Sequence, residues 1–490
     1  MNKSIYTEKF KSILIVVLFL STVLLSYLYW QDASLTGIKQ TVGDHLSSSV
    51  FTSKDYPEPS SFVCPNSVSV NFGDGTFSLY QKEASQLWEE FLPIYIEFSQ
   101  TPNLMIEKIS REQWDETMSM KSIQYQLNCD LPSSFFEGLG AANYGQTDSF
   151  NNISVIAFSE ASNTSLFVKE NATDNYFRII SDSEFCTLGE SIDKLKAAPH
   201  NQYYPISMYF GTKNVSLAPF QTDLSLPSLS SPRNTADQTE NYEKDLAETF
   251  FGESLDFIRK IVDDNGTITY MYGYGQKMLT IRQNGIFEYQ ETPSYNEVFL
   301  NFDEALSLAS SFIAHHGSWS DYEGNPLNLL LNSSASSENA KTSVYRFTFG
   351  TQYNNYPVYG GQESRIVIEI TGNRITHYSR DIGLSEPVPI ADASESSAEN
   401  ATVADILSYN YQNIATILLD NNVITPGDGT EDLFDIVVSG ISSIDIGYFA
   451  HTANTQKIYT PAWVIHFSGF HLFYDLYSGQ YIGHVDERIQ

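Results

Sequence analysis

Cysteine is scarce in this chain of 490 residues, which contains only Cys64, Cys129 and Cys186. Three cysteines form at most one disulfide bond, so a disulfide framework does not hold a chain of this length together. None of the spacings matches a CxxC metal or redox motif, which favours small, buried hydrophobic side chains at these positions. The sequence leaves open whether one bond forms, and it predicts a fold stabilised by ordinary hydrophobic cores.

Basic residues are also few. The chain has 27 Lys and Arg against 59 Asp and Glu, a formal net charge of −32 at pH 7. Phosphate groups attract proteins of the opposite sign, so this charge argues against nonspecific binding to nucleic acid or to anionic lipid. The same acidity is typical of a soluble domain on a cell surface.

Catalytic motifs are absent from the sequence, which has no GxSxG, HExxH or Walker A pattern. Gly273-Tyr274-Gly275 lacks the third glycine of a dinucleotide fingerprint, and a turn or bulge explains it better. His315 and His316 would lie about 100° apart on a helix and converge poorly on one metal, so we expect a solvent-facing pair at a helix end. The sequence therefore predicts no catalytic residue, no metal site and no cofactor.

One long hydrophobic run is present, and it extends from Ile13 to Trp30 without a charged side chain. A helix of this length is close to the minimum that crosses roughly 30 Å of hydrocarbon. Lys3, Lys9 and Lys11 precede the run, so the positive-inside rule predicts that residues 1–12 are cytoplasmic and that the bulk of the chain is extracytoplasmic.

The end of this run distinguishes a retained helix from a cleaved signal peptide. Tyr27, Tyr29 and Trp30 are bulky, whereas a signal peptide ends in a cleavage site of small residues. Aromatic side chains at this position are typical of the membrane interface. We therefore predict a single-pass cell-membrane protein with a transmembrane helix at 13–30.

Three small hydroxylated residues, Ser21, Thr22 and Ser26, interrupt the bulky side chains of the run. Thr22 and Ser26 are four residues apart and share a helix face, where small residues allow another helix to approach and their hydroxyls can bond across the interface. The alternative is that each hydroxyl bonds back to a carbonyl of its own helix. The sequence does not decide between these two interpretations.

Composition divides the extracytoplasmic part of the chain. Stretches rich in Ser, Thr, Asp and Pro occur at 31–65, at Leu224–Glu240 and at Glu386–Asn400, and such stretches are typical of connections. We predict a linker at 31–65 and three domains, at 66–222, 241–385 and 401–490.

Hydrophobic periodicity predicts α+β domains with antiparallel sheets. Ile366, Ile368 and Ile370 alternate with polar residues, as in a half-buried strand. Asn301 with Glu304 matches a helix capping box ahead of an apolar stripe.

The third domain repeats this order, since Thr402 opens a second apolar stripe and strands follow it. TGNRITHY at 371–378 aligns with SGQYIGHV at 478–485, which places Gly372 over Gly479. Together these features favour a duplicated α+β module in the last two domains.

The hydrophobic run and four later segments resemble the YycH (WalH) family, whose members are accessory proteins of the WalK/WalR two-component system of low-GC Gram-positive bacteria. The segments, in chain order, are KFKSILIVVLFLSTVLLSYLYW (9–30), SIQYQLNCDLPSSFF (122–136), NYFRIISD (175–182), FFGESLDFIRKIVDDNGTITYMYG (250–273) and PAWVIHFSGFHLFYDLYSGQYIG (461–483). The last segment is similar to the ending that YycH shares with its sister YycI, and the length of the chain favours YycH.

The resemblance implies a non-enzymatic regulator that associates with a WalK-like sensor histidine kinase and a YycI-like protein through transmembrane helices and thereby tunes wall metabolism. The resemblance implies no catalytic residue in this chain, and it makes Thr22 and Ser26 the expected contacts with the transmembrane helices of the partners. Two alternatives remain: an anchored module that binds a wall polymer or peptide, and a surface hydrolase. The sequence does not determine the sign of regulation, the oligomeric state or any ligand.

Overall fold

The computed structural model describes residues 57–488 except for short gaps. The gaps are 142–149, 172, 183, 185–187, 220–223, 231–235, 253–254, 283–285, 294–297, 321–325, 339–341, 361–364, 382–387, 391–399, 426–431 and 454–455. The fold is α+β, as predicted, and every pairing between its strands is antiparallel except one.

The described α-helices are α1 Ala84–Ser99, α2 Arg111–Met118, α3 Ser133–Gly138, α4 Leu188–Ala197, α5 Ile206–Phe210, α6 Ala236–Phe251, α7 Phe302–His315, α8 Val403–Asp420 and α9 Leu433–Ser439. Short 3-10 helices occur at Pro59–Phe62 and Gly273–Gly275.

The described strands of the first domain are β1 Pro65–Asn71, β2 Phe77–Tyr80, β3 Met105–Ile109, β4 Ser122–Pro132, β5 Asn152–Ser159, β6 Ser165–Glu170, β7 Asn175–Ile180, β8 Tyr203–Pro205 and β9 Leu217–Pro219. The remaining strands are β10 Leu229–Ser230, β11 Arg259–Val262, β12 Ile268–Tyr272, β13 Lys277–Ile281, β14 Phe287–Glu291, β15 Leu329–Glu338, β16 Ser343–Tyr353, β17 Tyr356–Tyr359, β18 Arg365–Thr371, β19 Arg374–Arg380, β20 Val388–Pro389, β21 Ser443–Ala453, β22 Gln456–Phe467, β23 Phe470–Asp475 and β24 Tyr481–Asp486.

The predicted first domain corresponds to one antiparallel sheet in the order β3-β7-β6-β5-β4-β1-β2-β8-β9, covered by α1, and its core is continuous with that of the predicted central domain. The buried face of α1 includes Trp88, Phe91, Tyr95 and Phe98, which recur at intervals of three and four residues as an amphipathic helix requires. Phe91 stacks on Tyr125 of β4 with ring centroids 4.1 Å apart. Burial of these aromatic side chains on one face is what holds the helix on the sheet.

The central domain confirms the pattern read from the sequence. Ile366, Ile368 and Ile370 all lie on the buried face of β18. The helix α7 packs over this face, and it begins with the expected capping box: the Glu304 amide donates to the Asn301 side chain, and the Asn301 amide donates to the Glu304 carboxylate, each at 2.9 Å. This reciprocal pair satisfies two amides that the first turn of a helix leaves free.

The C-terminal domain shares a helix-then-four-strands order with the second half of the central one. In the central domain α7 precedes strands that pair in the order β15-β16-β18-β19, and in the C-terminal domain α8 and α9 precede β21-β22-β23-β24. Gly372 and Gly479 both adopt left-handed φ values, 62° and 66°, in the turn before the last strand. The order of helix and strands is therefore repeated, and the duplication of a module stays a prediction.

The two stretches expected to be connections meet in space. β10 lies in the stretch 224–240 and β20 in the stretch 386–400, and the two strands pair with each other, Leu229 opposite Pro389. β10 also pairs with β22, and the Tyr477 hydroxyl donates to the Leu226 carbonyl at 2.6 Å. Both stretches are thus attached to the edge of the C-terminal sheet at these strands.

A single parallel pair joins the central and C-terminal sheets. β16 turns at Asn354 and Asn355, which have φ values of 50° and 63°, into β17. β17 then runs parallel to β21, with Val358 opposite Tyr448. Asparagine is among the few residues that adopt this backbone conformation readily, which explains the Asn-Asn sequence of the turn.

The first described residues, 57–62, pack against the central domain. The Ser310 hydroxyl of α7 donates to the Pro57 carbonyl at 3.1 Å, and the Phe62 ring stacks on Trp319 with centroids 4.2 Å apart. The last residues of the stretch 31–65 therefore belong to the folded body. Within the described ranges no helix is both long and apolar enough to cross a membrane, and the predicted helix at 13–30 lies outside those ranges.

Candidate functional site: an interdomain cleft and a histidine pair

The residues predicted from the sequence to contact a partner helix or the membrane interface lie outside the described residues. They are Ser21, Thr22, Ser26, Tyr27, Tyr29 and Trp30. Their roles stay predictions. The described body has two other features with functional chemistry, a cleft between the first and central domains and a buried pair of histidines in the C-terminal sheet.

The cleft has a volume of about 670 Å³ and is bounded by α3, β4 and β5 of the first domain and by α7, β15 and β16 of the central domain. Its lining residues are Asp130, Pro132, Ser134, Asn152, Phe299, Leu300, Asn301, Phe302, Glu304, Ser334, Ala335, Ser336 and Tyr345. This volume is within the range of ordinary ligand pockets, and pockets occur preferentially between domains.

The aromatic part of the cleft comes from the central domain. The Tyr345 hydroxyl donates to the Leu300 carbonyl at 3.0 Å, which holds the segment before α7 against β16. Phe302, the first residue of α7, packs edge-on against Phe347 with centroids 5.4 Å apart. The Phe299 side chain is 53% exposed. Exposure of a large apolar side chain to water is unfavourable, and a bound ligand could cover it.

The first domain contributes an irregular stretch of β4. The pairing of β4 with β5 shifts register between Gln126 and Leu131, and such a bulge re-aims the side chains within it. Asp130 lies in this interval and accepts a hydrogen bond from the Ser154 hydroxyl. The Ser334 hydroxyl of β15 lies 3.4 Å from the Asp130 carbonyl oxygen, so the two domains meet here.

The charge of the cleft has one sign. Among its lining residues only Asp130 and Glu304 are ionisable at neutral pH, and both are acidic. Glu304 accepts the Asn301 amide through Oε2 as part of the capping box. Two carboxylates in a partly enclosed space favour a cationic or hydrogen-bond-donating ligand.

The histidine pair lies on the C-terminal sheet. The Nδ1 atoms of His466 on β22 and His471 on β23 are 2.7 Å apart. On the far sides, His466 Nε2 is 3.0 Å from Asp445 Oδ2, and His471 Nε2 is 3.3 Å from Glu487 Oε2. The two imidazoles are thus placed in a row between two carboxylates.

Proton counting shows what this row requires. The His466–Asp445 contact lacks hydrogen-bond geometry, since His466 Nε2 has no hydrogen-bond partner among the described residues. The other two contacts need two N–H groups, which two neutral imidazoles supply. Burial lowers the pKa of His471, and the hydrogen bond to Glu487 opposes that effect. The His471 imidazole is therefore harder to protonate than a free one.

Other candidate chemistry is not assembled in the described residues. Within them, no group of three or more His, Cys, Asp or Glu side chains is placed to hold a metal ion. Cys64 and Cys129 are both free, and burial raises the pKa of each thiol to about 12. A thiol with such a pKa is a poor nucleophile.

His316 corrects one expectation from the sequence. The pair His315 and His316 was expected to face solvent at a helix end, but the His316 ring stacks on Phe312 with centroids 3.9 Å apart and lies 4.6 Å from Phe250. Burial lowers its pKa to about 4. The turn after α7 directs this ring into the aromatic core, which the spacing of the sequence could not show.

Comparison with known proteins gives one likeness. No family model and no curated protein matches the chain. The crystal structure of YycH from Bacillus subtilis matches 85% of this chain and 96% of its own chain, with 13% sequence identity and a TM-score of 0.49. YycH is a structural neighbour of this chain. It is also the protein whose family the sequence resembles, but this identity and TM-score establish neither partners nor activity.

Four of the five segments that resemble the YycH family lie mainly within the described residues, and the segment 9–30 lies outside them. SIQYQLNCDLPSSFF forms β4 and the start of α3, and NYFRIISD contains β7. FFGESLDFIRKIVDDNGTITYMYG covers the end of α6, β11 and β12, and the C-terminal segment covers β22 and β23. The first of these segments also contributes Asp130 to the cleft.

Sequence reasoning did not find the cleft or the histidine pair. Asp130 and Glu304 are 174 positions apart (304 − 130) in the sequence, and only the packing of two domains brings them to one cavity. His466 and His471 are five residues apart across a β-hairpin, and their HFSGFH spacing is a usable signal. Opposed positions in a two-strand hairpin face each other, as these do in the β22–β23 register.

Proposed function

We propose that this protein is a membrane-anchored extracytoplasmic regulator of a WalK-like sensor histidine kinase, without catalytic activity of its own. It would lie in the cell membrane with residues 1–12 in the cytoplasm, and it would contact the kinase and a YycI-like protein through its transmembrane helix. The observation that carries the proposal is the uncharged run 13–30 with Thr22 and Ser26 on one face, followed by segments that resemble the YycH family in the same order.

The attachment of the chain to the body supports a regulatory role for the anchor. Phe62 is 4% exposed and packs against Trp319 and Phe349 of the central domain. A change in the position of this domain would therefore displace residues 57–62, the first described residues after the predicted linker. Regulation also requires that the helix contacts differ between the two states of the kinase, because equal contacts shift no equilibrium.

Replacing both small residues tests the helix contact. We expect Thr22→Leu with Ser26→Leu to reduce association with the kinase about tenfold or more, because two interhelical hydrogen bonds worth roughly 0.6–2 kcal/mol each are lost and the notch is filled. Association is measured in the membrane by two-hybrid signal or by crosslinking.

The matched control changes the opposite face of the same helix. Ile13 and Val17 lie about 180° and 220° from Thr22 at 100° per residue, and Ile13→Leu with Val17→Leu keeps the hydrophobicity of the run. This control should associate normally. If the two double variants associated with the kinase equally well, the proposed helix contact would be wrong.

The interdomain cleft favours a second function, an anchored module that binds a wall polymer or peptide. The cavity of about 670 Å³ with acidic and aromatic walls is the specific observation for it. Exchange of residues 13–30 for an unrelated transmembrane helix separates the two: a binding module keeps its activity after the exchange, and a helix-contact regulator loses it.

A further inference from the structure

The strand β11, Arg259–Val262, lies at the end of the larger sheet. Among the described residues it pairs only with β12, and no other described element runs alongside it. The backbone groups on its outer side therefore form an edge that can accept another strand. The side chains agree with this position, because Arg259, Lys260 and Val262 are exposed and Ile261 is half-buried.

The hairpin between β11 and β12 determines which residues present backbone groups at this edge. The Asp263 amide donates to the Thr267 carbonyl at 2.9 Å, so Asp263 directs its backbone groups toward β12. This direction alternates along an antiparallel strand. Ile261 therefore also bonds toward β12, whereas Lys260 and Val262 direct their N–H and C=O groups outward.

The edge ends on both sides of these two residues. Before the strand, the Ile258 amide donates to the Leu255 carbonyl at 2.9 Å. After the strand, the Gly266 amide donates to the Asp263 carbonyl at 2.8 Å, which closes the turn into β12. A strand that uses the whole edge must therefore bond to Lys260 and Val262.

The charges of this hairpin are self-complementary. Arg259 and Lys260 begin the strand, Asp263 and Asp264 follow its end, and these four charges cancel in a chain that is otherwise strongly acidic. Antiparallel pairing of two identical strands brings the start of each strand beside the end of the other, so opposite charges meet. Basic residues usually protect an edge from pairing, but here they suit a second copy of the same strand.

One register satisfies both the hydrogen bonds and the charges. A two-fold pair centred on Ile261 places Lys260 opposite Val262 of the second copy, so every outward residue is bonded. It also places Arg259 opposite Asp263 of the second copy at a non-hydrogen-bonded position, where facing side chains are closest. A register centred on Lys260 would instead oppose two lysines, which is unfavourable.

The same register covers apolar surface. The Val262 side chain is 60% exposed, and pairing would bury it against the aliphatic stem of Lys260 of the second copy. Ile261 would meet Ile261 of the second copy at the centre of the pair. Burial of these apolar side chains favours association because it removes them from water.

We propose that two copies of this protein associate through β11, in an antiparallel pair centred on Ile261 and flanked by two ion pairs between Arg259 and Asp263. The pair joins the larger sheets of the two copies into one continuous sheet. This inference goes beyond the proposed function, and it requires neither the kinase nor the helix contact at Thr22 and Ser26.

Disulfide crosslinking of the full chain in its host membrane tests the register. In this pair the two Cα atoms of Ile261→Cys are about 4.5 Å apart, a distance that a disulfide spans. Thr269→Cys is the matched control, because Thr269 is also half-buried and lies beside Ile261 on β12. Its two copies would be three strand spacings apart, about 14 Å.

We expect copper-phenanthroline oxidation to convert most of Ile261→Cys into a dimer that reducing agent dissolves on a gel. Thr269→Cys should remain at the level of the wild-type chain, which gives the background from the native cysteines. Equal yields at the two positions, or no dimer at either, would overturn the proposal.

Charge reversal in the Ile261→Cys chain tests the ion pairs. Arg259→Asp or Asp263→Arg alone places like charges opposite each other, and we expect either to lower the dimer yield about fivefold or more. Arg259→Asp with Asp263→Arg restores opposite charges and should restore the yield. Lys108→Asp, on the edge strand β3 of the other sheet, should leave the yield within twofold.

The rescue separates a lost contact from a misfolded protein, since a chain damaged by two substitutions does not regain a position-specific crosslink. A double variant as weak as the single ones contradicts the pairing of Arg259 with Asp263. Thr22→Leu with Ser26→Leu should leave the Ile261→Cys crosslink in place. Failure of this dimer and failure of the kinase contact are therefore observed separately.

Discussion

At the scale of single residues, the surroundings of His316 explain why its pKa is lowered. Its Nδ1 lies 2.9 Å from the Phe312 carbonyl oxygen, and the ring is packed by Phe312 and Phe250. Burial lowers its pKa to about 4, while the contact with Phe312 opposes the shift and the charges of His315 and Lys277 add to it. The neutral imidazole is therefore the form that the fold stabilises.

The sign of the pH effect follows from this depressed pKa. An unfolded histidine has a pKa near 6.5, so between about pH 6.5 and 4 the unfolded chain binds a proton that the folded chain does not. The free energy of unfolding then rises with pH across this window. The stabilisation is present above about pH 6.5 and is lost as the pH falls toward 4.

We expect His316→Phe to remove part of this pH dependence. Wild-type stability should fall by on the order of 2 kcal/mol between pH 6.5 and 4 from this group, and the variant should show a shallower slope. Urea unfolding at a series of pH values measures it. His315→Gln, at the adjacent position, should retain the wild-type slope, and a wild-type slope in His316→Phe would contradict the assignment.

At the scale of secondary-structure elements, local signals in the sequence predict two of the described helices, α7 and α8. Asn301 and Thr402 both cap the helices expected to follow them, and the Asp405 amide donates to the Thr402 hydroxyl at 3.1 Å. Capping depends on residues within one turn, so the sequence contains the needed information. The alternation at Ile366, Ile368 and Ile370 predicts β18 for the same reason.

Removal of the cap of α7 should destabilise the central domain. Asn301→Ala deletes the acceptor for the Glu304 amide, and we expect a loss of about 1 kcal/mol in the free energy of unfolding. Glu304→Gln, which a capping box tolerates, should cost much less. Urea denaturation of both variants provides the comparison, and equal losses would show that the box does not act as the structure indicates.

The shortest strands are not predicted by local patterns in the sequence. β10, β17 and β20 contain two to four residues each, too few for a period to be visible in the sequence. They form because neighbouring strands offer pairing partners, as β22 does for β10. For this reason the stretches 224–240 and 386–400 resemble plain connections in sequence although parts of them are paired.

At the scale of the whole molecule, side chains from the first domain bond to the backbone of the C-terminal domain. Gln81 Nε2 donates to the Ile446 carbonyl at 3.2 Å, and the Ile446 amide donates to Gln81 Oε1 at 3.3 Å. Asn214 Nδ2 donates to the Val438 and Ile441 carbonyls at 2.6 and 2.9 Å. These bonds join parts of the chain separated by more than 200 residues.

We expect Gln81→Ala to loosen this junction. The substitution leaves the buried Ile446 amide and carbonyl without their partner, a loss of about 1–3 kcal/mol. Hydrogen exchange should accelerate in β21 around Ile446. Gln86→Ala on the exposed face of α1 is the control, and unchanged exchange in β21 of Gln81→Ala would show that the junction does not depend on this residue.

The sequence by itself determined the α+β class, the caps of α7 and α8, the buried face of β18 and the repeated order of helix and strands, because each depends on residues within one element or one hairpin. It also predicted the helix at 13–30, which lies outside the described residues. The tertiary structure decided the cleft beside β15, the packing of His316 against Phe312 and Phe250, and the pairing of the two connecting stretches. Those features depend on contacts between distant parts of the chain, and a local sequence pattern contains no information about such contacts.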